Sequence, residues 1–276
     1  MTNKSLTLSI VIPVFNEEDY IGACLDSIAG QTELPNEVII VDNNCTDGTV
    51  NIALSYPSVR VVKEKKQHQS YAQKTGFNAA LTDIIGRIDA DTILPEDWIK
   101  NVKAAFLADQ ELQAVTGSGK PYDLYMKNIS VAVFRSYNVL ASLIAGRQIL
   151  WGSNFAILNK TWRGVKNKVL QRDDIWEDYD LAFSLTGKVQ FRKDLAVSAS
   201  FRAVHESFAK QFPYQFRAIR TVYYHGSLPR TALMFVCWNS LFLIYPFIML
   251  DNHVLRPLLR QRTTYRRAEL INEPLD

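Results

Sequence analysis

Two short acidic clusters define the chemistry open to this chain. In Arg87-Ile88-Asp89-Ala90-Asp91-Thr92, two carboxylates stand one residue apart at the end of an apolar run that reads as a buried strand. Most of a domain later, Trp176-Glu177-Asp178-Tyr179-Asp180-Leu181 supplies a second acidic set. One cluster suits a divalent cation, which prefers hard oxygen ligands, and the other suits a proton acceptor. That division of labour fits transfer of a group from a phosphate-activated donor to a hydroxyl.

The elements that must position these groups follow from hydrophobic periodicity. Up to about Gly119, short β-branched runs at 6–14, 37–41, 59–62, 84–88 and 112–116 alternate with helical patterns at 17–29, 49–55, 70–81 and 95–108. Such alternation predicts β-α-β units around a mainly parallel sheet, the nucleotide-binding type of α/β architecture. Ligands of open α/β sheets sit beyond the carboxyl ends of the strands. There the sequence places Asn16 and Glu17, Asp42 and Asn43, and Asp89 and Asp91. From about Lys120 to Ala203 the pattern is mixed, with a helix expected over 129–145, a strand over 149–158, a helix over 177–185 and a strand-like run over 196–201.

Composition narrows the partners. The chain has 276 residues, 47% apolar, enough for a full core and an appendage. With 31 basic against 28 acidic residues and a net charge of +3, it lacks the basic coat of a nucleic-acid binder. Cys24, Cys45 and Cys237 form an odd set without metal-ligand spacing, which argues against disulfides and a zinc site and points to a reducing compartment. Residues 1–8 lack the regions of a signal peptide, so the chain is expected to start in the cytosol.

Residues 231–250 carry no charge and lie between Arg230 and Asp251. Their length reaches that of a bilayer span, although Asn239, Ser240 and Pro246 interrupt it; the alternative is a buried helix that closes the domain. Arg256, Arg260, Arg262, Arg266 and Arg267 follow, a cluster suited to an anionic membrane surface. A single span would place them outside, against the positive-inside rule, so a re-entrant, hairpin or in-plane helix is expected. The expected organisation is a catalytic domain over 1–227 and a membrane-associated helix with a basic tail over 228–276, at the cytoplasmic face of the membrane.

Five segments, in order, carry a resemblance. Ile12-Pro13-Val14-Phe15-Asn16-Glu17, Val41-Asp42-Asn43-Asn44-Cys45-Thr46-Asp47-Gly48-Thr49, Ala72-Gln73-Lys74-Thr75-Gly76-Phe77-Asn78, Asp89-Ala90-Asp91 and Glu177-Asp178 resemble the motif set of inverting family 2 glycosyltransferases with the GT-A fold. The likeness covers roughly residues 6–205 and rests on order and spacing, since a lone D-x-D is weak. Cys45 stands where that family more often has serine, and Lys74 where arginine is common. The resemblance implies a Rossmann-like mixed sheet flanked by helices, a nucleoside-diphosphate sugar donor, Mg2+ or Mn2+, and a lipid-linked or saccharide acceptor.

It also implies roles. Asp91 would bind the metal bridging the donor's phosphates, and Asp89 would contact the ribose or the metal shell, whereas the simpler reading is that both cap the helix near Pro95. Asp42 looks like the carboxylate that recognises base or ribose, with Pro13, Phe15 and Glu17 lining the same pocket; a solvated turn would also use Asp42. Lys74 would reach the diphosphate, or sit in water as exposed lysines do.

Asp178, with Glu177 beside it, is the expected acceptor base, although Asp173, Asp174 and Asp180 are near and all suit a helix N-terminus. Trp151, Gly152 and Ser153 would form a loop under donor sugar and acceptor, where glycine permits close backbone approach. Trp151 and Trp176 would stack on a sugar or simply pack. His205 would be a third metal ligand or a phosphate contact, or a structural histidine, and Arg202 would be an alternative partner of the diphosphate.

Two other readings compete. A nucleotidyltransferase would need a glycine-rich, basic phosphate loop after the first strand, where this chain has Pro13-Val14-Phe15-Asn16-Glu17. A degenerate, non-catalytic module that docks a partner at the membrane would not need to keep Asp91 and Asp178.

Overall fold

The computed structural model describes residues 5–123, 127–202 and 208–240. In chain order the elements are β1 (Leu8–Val14), α1 (Ile21–Ala29), β2 (Glu37–Asp42), α2 (Thr49–Leu54), β3 (Val59–Lys63), α3 (Gln69–Ala79), β4 (Ile84–Ile88), β5 (Thr92–Ile93), α4 (Trp98–Ala108), β6 (Leu112–Thr116), β7 (Gly119–Pro121), α5 (Lys127–Ala145), β8 (Asn154–Leu158), α6 (Asn159–Val165), α7 (Glu177–Ser184), β9 (Lys188–Phe191), β10 (Val197–Ala199), α8 (Phe208–Tyr224) and α9 (Leu228–Ser240).

The main sheet has the order β3-β2-β1-β4-β8-β6-β9. Strands β3, β2, β1 and β4 run parallel, β8 is antiparallel to both β4 and β6, and β9 is parallel to β6. The sheet is therefore mixed. A small second sheet, β5-β10-β7, crosses beyond the acidic pair.

Period-two alternation divides the strand side chains between two cores. Leu8, Ile10, Ile12 and Val14 of β1 pack on α1 and α4, where Trp98, Ile99, Val102 and Phe106 are buried. Val11, with Ile39 and Val41 of β2 and Ile85 of β4, faces α3 and the layer formed by α5, α8 and α9. Arg87 has the parity of Ile85, so its charged side chain is directed into the second core, where it is completely buried. Gly76 explains itself in this layer: a Cβ there would lie 2.4 Å from Val11 Cγ1 and 2.7 Å from Val41 Cγ2, so glycine lets α3 lie directly on the sheet.

Several expectations are revised. The first helix begins at Ile21, not at 17, because Asn16 is left-handed (φ 55°) and Glu17 O accepts the N–H groups of Tyr20 and Ile21 in a turn. Strand β8 begins at Asn154, which leaves 149–153 free to be a loop. Helix α4 begins at Trp98 with Asp97 at its N-cap position, so capping is not what Asp89 and Asp91 do. Strand β10 falls within the expected run over 196–201, whereas helices α6 and α8 and strands β5, β7 and β9 were not among the expected elements; α8 has a proline at 213 and scattered basic residues.

The charge-free segment 231–250 divides. Its first part belongs to α9, whose Met234, Cys237 and Trp238 join the second core while its other face is exposed. Residues 241–250 and the late arginines lie outside the described residues. Among the described residues, no helix is long and apolar enough to cross a membrane.

Candidate active site

Strand order reverses at β1: the chain moves outward through β2 and β3, then returns to add β4 on the other side. Loops leaving β1 and β4 must diverge there, and the crevice that results is the natural ligand site of such sheets. Glu17 follows β1, Asp42 ends β2, and Asp89 and Asp91 follow β4. Phe15, at the mouth, is 49% exposed, an apolar ring held in water at the end of a buried strand, and Pro13 is half-buried behind it. Asp42 is buried and accepts the Cys45 N–H at 2.8 Å, so it does stabilise its turn. Asn43 holds that turn to the chain after β3, donating to Glu64 O and Lys66 O at 2.9 Å each.

Acidic charge is concentrated beside the switch point. Asp91 is buried, and burial together with the neighbouring Asp89 charge pushes its carboxyl up to about 7. Burial also raises the Glu17 carboxyl. Arg202, which follows β10, meets both: its Nη2 lies 2.5 Å from Glu17 Oε1 and 3.3 Å from Asp91 Oδ2, with its guanidinium over the Tyr20 ring at 4.6 Å. One guanidinium thus faces two carboxylates, and Glu17 Oε2 is buried without a hydrogen-bond partner. Such an oxygen-rich, under-neutralised donor set fits a hard divalent cation. Asp91 and Asp89 are the residues that would hold it. No group of three or more metal-ligating side chains is gathered among the described residues, and His205 lies outside them.

The second acidic cluster is brought to the first by a loop and a buried arginine. Gly152 N–H donates to Asp178 Oδ2 at 2.8 Å, and the next residue, Ser153, donates its hydroxyl to Asp89 Oδ2. Beneath this loop, Arg87 Nη1 lies 2.9 Å from Asp89 Oδ1 and Nη2 lies 3.5 Å from Glu177 Oε1. A Cβ on Gly152 would fall 2.7 Å from Arg87 Nη1 and 3.2 Å from Asp178 Oδ2, so no other residue fits without displacement. Arg87 was missed in the sequence. A basic residue inside an otherwise apolar strand was the signal that could have found it, since buried charges are paired.

Glu177 is buried and committed to Arg87, whereas Asp178, one residue into α7, is only partly buried. Asp178 Oδ1 accepts the Tyr179 N–H at 2.8 Å. Desolvation and then the Glu177 charge push its carboxyl up to about 7, against the opposing pull of Arg87 and the Gly152 and Tyr179 amides. A carboxylate near neutrality is a competent general base.

Of the other acids, Asp180 and Asp174 have partners of their own. Asp180 accepts the Leu170 N–H and pairs with His225 Nε2 at 2.9 Å, and Asp174 pairs with Arg172; Asp173 is exposed. Lys74 Nζ donates to Gln171 Oε1 at 2.6 Å, which ties α3 to the segment before α7. At the start of α3, Gln69 Nε2 reaches Asp89 Oδ1 at 3.2 Å.

Both tryptophans pack. Trp151 sits edge-on to Phe134 (5.1 Å between centroids) and fills the space that a Cβ on Gly119 would occupy. Trp176 is edge-on to Tyr179 and Trp238. Asn154, fully buried after the loop, accepts the Trp98 indole N–H at 2.9 Å and donates to Ser118 O, which fixes where the loop ends.

Comparison with known proteins agrees with this geometry. Residues 9–172 match the family model described as glycosyl transferase family 2. EpsH of Bacillus subtilis is 28% identical over 225 residues, covering 79% of this chain and 60% of that protein. Glycosyltransferase AglE of Haloferax volcanii is 33% identical over 107 residues, 36% of this chain and 35% of that protein. The matched part therefore spans less than two thirds of either relative. Among solved structures, mannosyltransferase PcManGT of Pyrobaculum calidifontis, in complex with GDP-Man and Mn2+, superposes with a TM-score of 0.63 at 20% identity, covering 98% of this chain and 79% of that one. At that identity the likeness is one of fold, a GT-A-like mixed α/β sheet flanked by helices.

Proposed function

Because the chain belongs to glycosyl transferase family 2, we propose that it transfers a sugar from a nucleoside-diphosphate sugar to a hydroxyl, with inversion at the anomeric carbon. The observation that carries this reading is the pair of adjacent contacts from Gly152 to Asp178 and from Ser153 to Asp89. Two adjacent loop residues thus tie a donor-side carboxylate and the proposed proton acceptor to the same turn of chain, which supports their acting at one site.

In the proposed reaction, Phe15, Pro13, Glu17 and Asp42 receive the nucleoside. Asp91 and Asp89 hold Mg2+ or Mn2+, which when bound offsets the negative charge of the departing diphosphate. Asp178 accepts the proton of the acceptor hydroxyl as its oxygen bonds to the anomeric carbon; the bond from that carbon to the diphosphate oxygen breaks, and the nucleoside diphosphate leaves. Catalysis is then mostly positioning and charge stabilisation. GDP-Man and Mn2+ in the solved mannosyltransferase support the choice of donor and metal.

The acceptor is proposed to be a saccharide or a lipid-linked hydroxyl at the cytoplasmic face of a membrane, in assembly of surface polysaccharide or glycolipid. In this reading 1–227 is the catalytic unit and 228–276 the membrane-associated part, joined to it through the core that α9 shares.

The test is thermal stability of the purified protein against UDP-, GDP- and dTDP-sugars with Mn2+, Mg2+ or chelator. Ligands that bind only the folded state raise the midpoint. A metal-dependent rise with one nucleotide family is expected, and its absence for every donor in well-folded protein would overturn the donor site.

A further inference from the structure

Helices α5, α8 and α9, of 19, 17 and 13 residues, contain no Asp or Glu, in a chain with 28 acidic residues. Their charged residues are all basic: Lys127, Arg135, Lys210, Arg217, Arg220 and Arg230. The three helices form one layer on the same side of the sheet.

The outer face of that layer is apolar. On α5, Val139 and Leu143 are 60% and 72% exposed and lie one turn apart, in line with the exposed Arg135; Leu140 is exposed beside them. On α9, Leu233 and Val236 are exposed at 56% and 66%, with Pro229 and Ala232 on the same stripe.

The two stripes are neighbours. Tyr137 and Trp238 rings meet at 4.5 Å, and Arg230 Nη1 donates to Ala145 O at 3.1 Å, so the helices run antiparallel with their exposed faces side by side. Phe235 of α9 contacts Phe216 of α8, and Arg220 and Tyr223 continue outward from Phe216 on the same helical face. Scattered exposed leucines need no explanation, but a continuous apolar face across two packed helices, rimmed by basic residues, does.

We propose that this face of α5 and α9, with the basic outer edge of α8, docks onto an anionic lipid bilayer. Charge decides the partner: a layer free of acids and rimmed by arginines is complementary to acidic headgroups, and its leucines and valines suit the acyl boundary beneath them. The surface lies in the described helices and does not depend on the segment beyond residue 240.

The inference deepens the membrane-side acceptor proposed above. Tyr137, on the inner face of α5, shares a hydrogen bond at 2.9 Å with Tyr179, the neighbour of Asp178. The docked face is thus about one helix diameter, ~10 Å, from the helix that bears the base.

The test is cosedimentation of the full chain with phosphatidylcholine vesicles and with mixed phosphatidylcholine–phosphatidylglycerol vesicles. Binding is expected to the mixed vesicles only. Leu233→Glu with Val236→Glu should abolish it, with melting temperature and donor-induced thermal shift unchanged. Arg135→Gln and Arg220→Gln should each weaken it about fivefold, as expected for one basic residue at an anionic surface. Leu81→Glu, at an 80% exposed site at the amino end of β4, should leave it unchanged.

Binding that survives the double variant would overturn the proposal. Concentration-dependent dimers abolished by Leu233→Glu would assign the face to a second copy instead. A fall in melting temperature with the double variant would mean that the chain's own segment covers it. Loss of the donor-induced shift in wild-type protein would count against the transfer reaction and leave vesicle binding as a separate result.

Discussion

The Arg87 guanidinium lies 2.9 Å from Asp89 Oδ1, entirely out of solvent, and its other amino group turns to Glu177 at 3.5 Å. One buried side chain thus joins the strand that precedes the proposed donor-side carboxylates to the helix that carries the proposed base. Its Nε is buried without a hydrogen-bond partner, so the group is retained at some cost in desolvation.

Arg87→Met should be among the most damaging single changes. Removing one partner leaves Asp89 and Glu177 without their counter-charge, which costs about 3–5 kcal/mol when buried pairs are broken. Because Arg87 also lowers the Asp178 carboxyl, the variant's transfer activity should require higher pH than the wild type. Denaturant unfolding and a pH–rate profile measure the two effects separately.

Gly152→Ala should destabilise the protein by about 1–3 kcal/mol, the usual penalty for forcing a methyl into a filled space. The new Cβ would press on Arg87 Nη1 and crowd Asp178 Oδ2. Transfer should fall by more than stability does, since the loop amide that orients Asp178 must shift. Activity at a temperature where both proteins are fully folded is the measurement.

Asp178→Asn should bind donor with Mn2+ as the wild type does and lose transfer by about a hundredfold to ten-thousandfold, the range for a general base. In the wild type the base must be ionised, so transfer should rise with pH through about 7. Stability runs the other way. A carboxyl raised from its ordinary 3.8 favours folding while protonated; that contribution is fully present below 3.8 and is lost as pH rises through about 7. Melting of the wild type should therefore decline over that window relative to Asp178→Asn. Parallel curves would remove the assignment.

Asp91→Asn should abolish the metal-dependent thermal shift with any nucleotide sugar. It should leave the ligand-free protein as stable as the wild type or more so, because it replaces a buried carboxylate that repels Asp89. Calorimetric titration with Mn2+ alone provides a readout that transfer does not enter. Undiminished Mn2+ affinity would place the metal elsewhere.

The acids at the strand ends, the first four parallel strands and the family could all be read from the sequence. Each is a local matter: a β-branched run forms a strand wherever it stands, and a polar residue at its carboxyl end lies at the sheet's edge. Five motifs in order were enough to indicate one reaction class. The partners of the acids in and before α7 were not a local matter. Asp173, Asp174, Glu177, Asp178 and Asp180 share one short stretch, and only contacts with Arg87, Arg172, Leu170, His225 and Gly152 distinguish them.

Tertiary packing likewise took Trp151 into the space beside Gly119, tied Lys74 to Gln171, and placed Arg202 between Glu17 and Asp91 from the far side of the chain. It made one face of α9 core and left the other apolar in solvent, a division that hydropathy averaged along the chain cannot express. Sequence determined which groups are present and which strand ends hold them. Structure decided their partners, because pairing of buried charges depends on distance in space, and residues such as Arg87 and Glu177 are neighbours only after the sheet and α7 have come together.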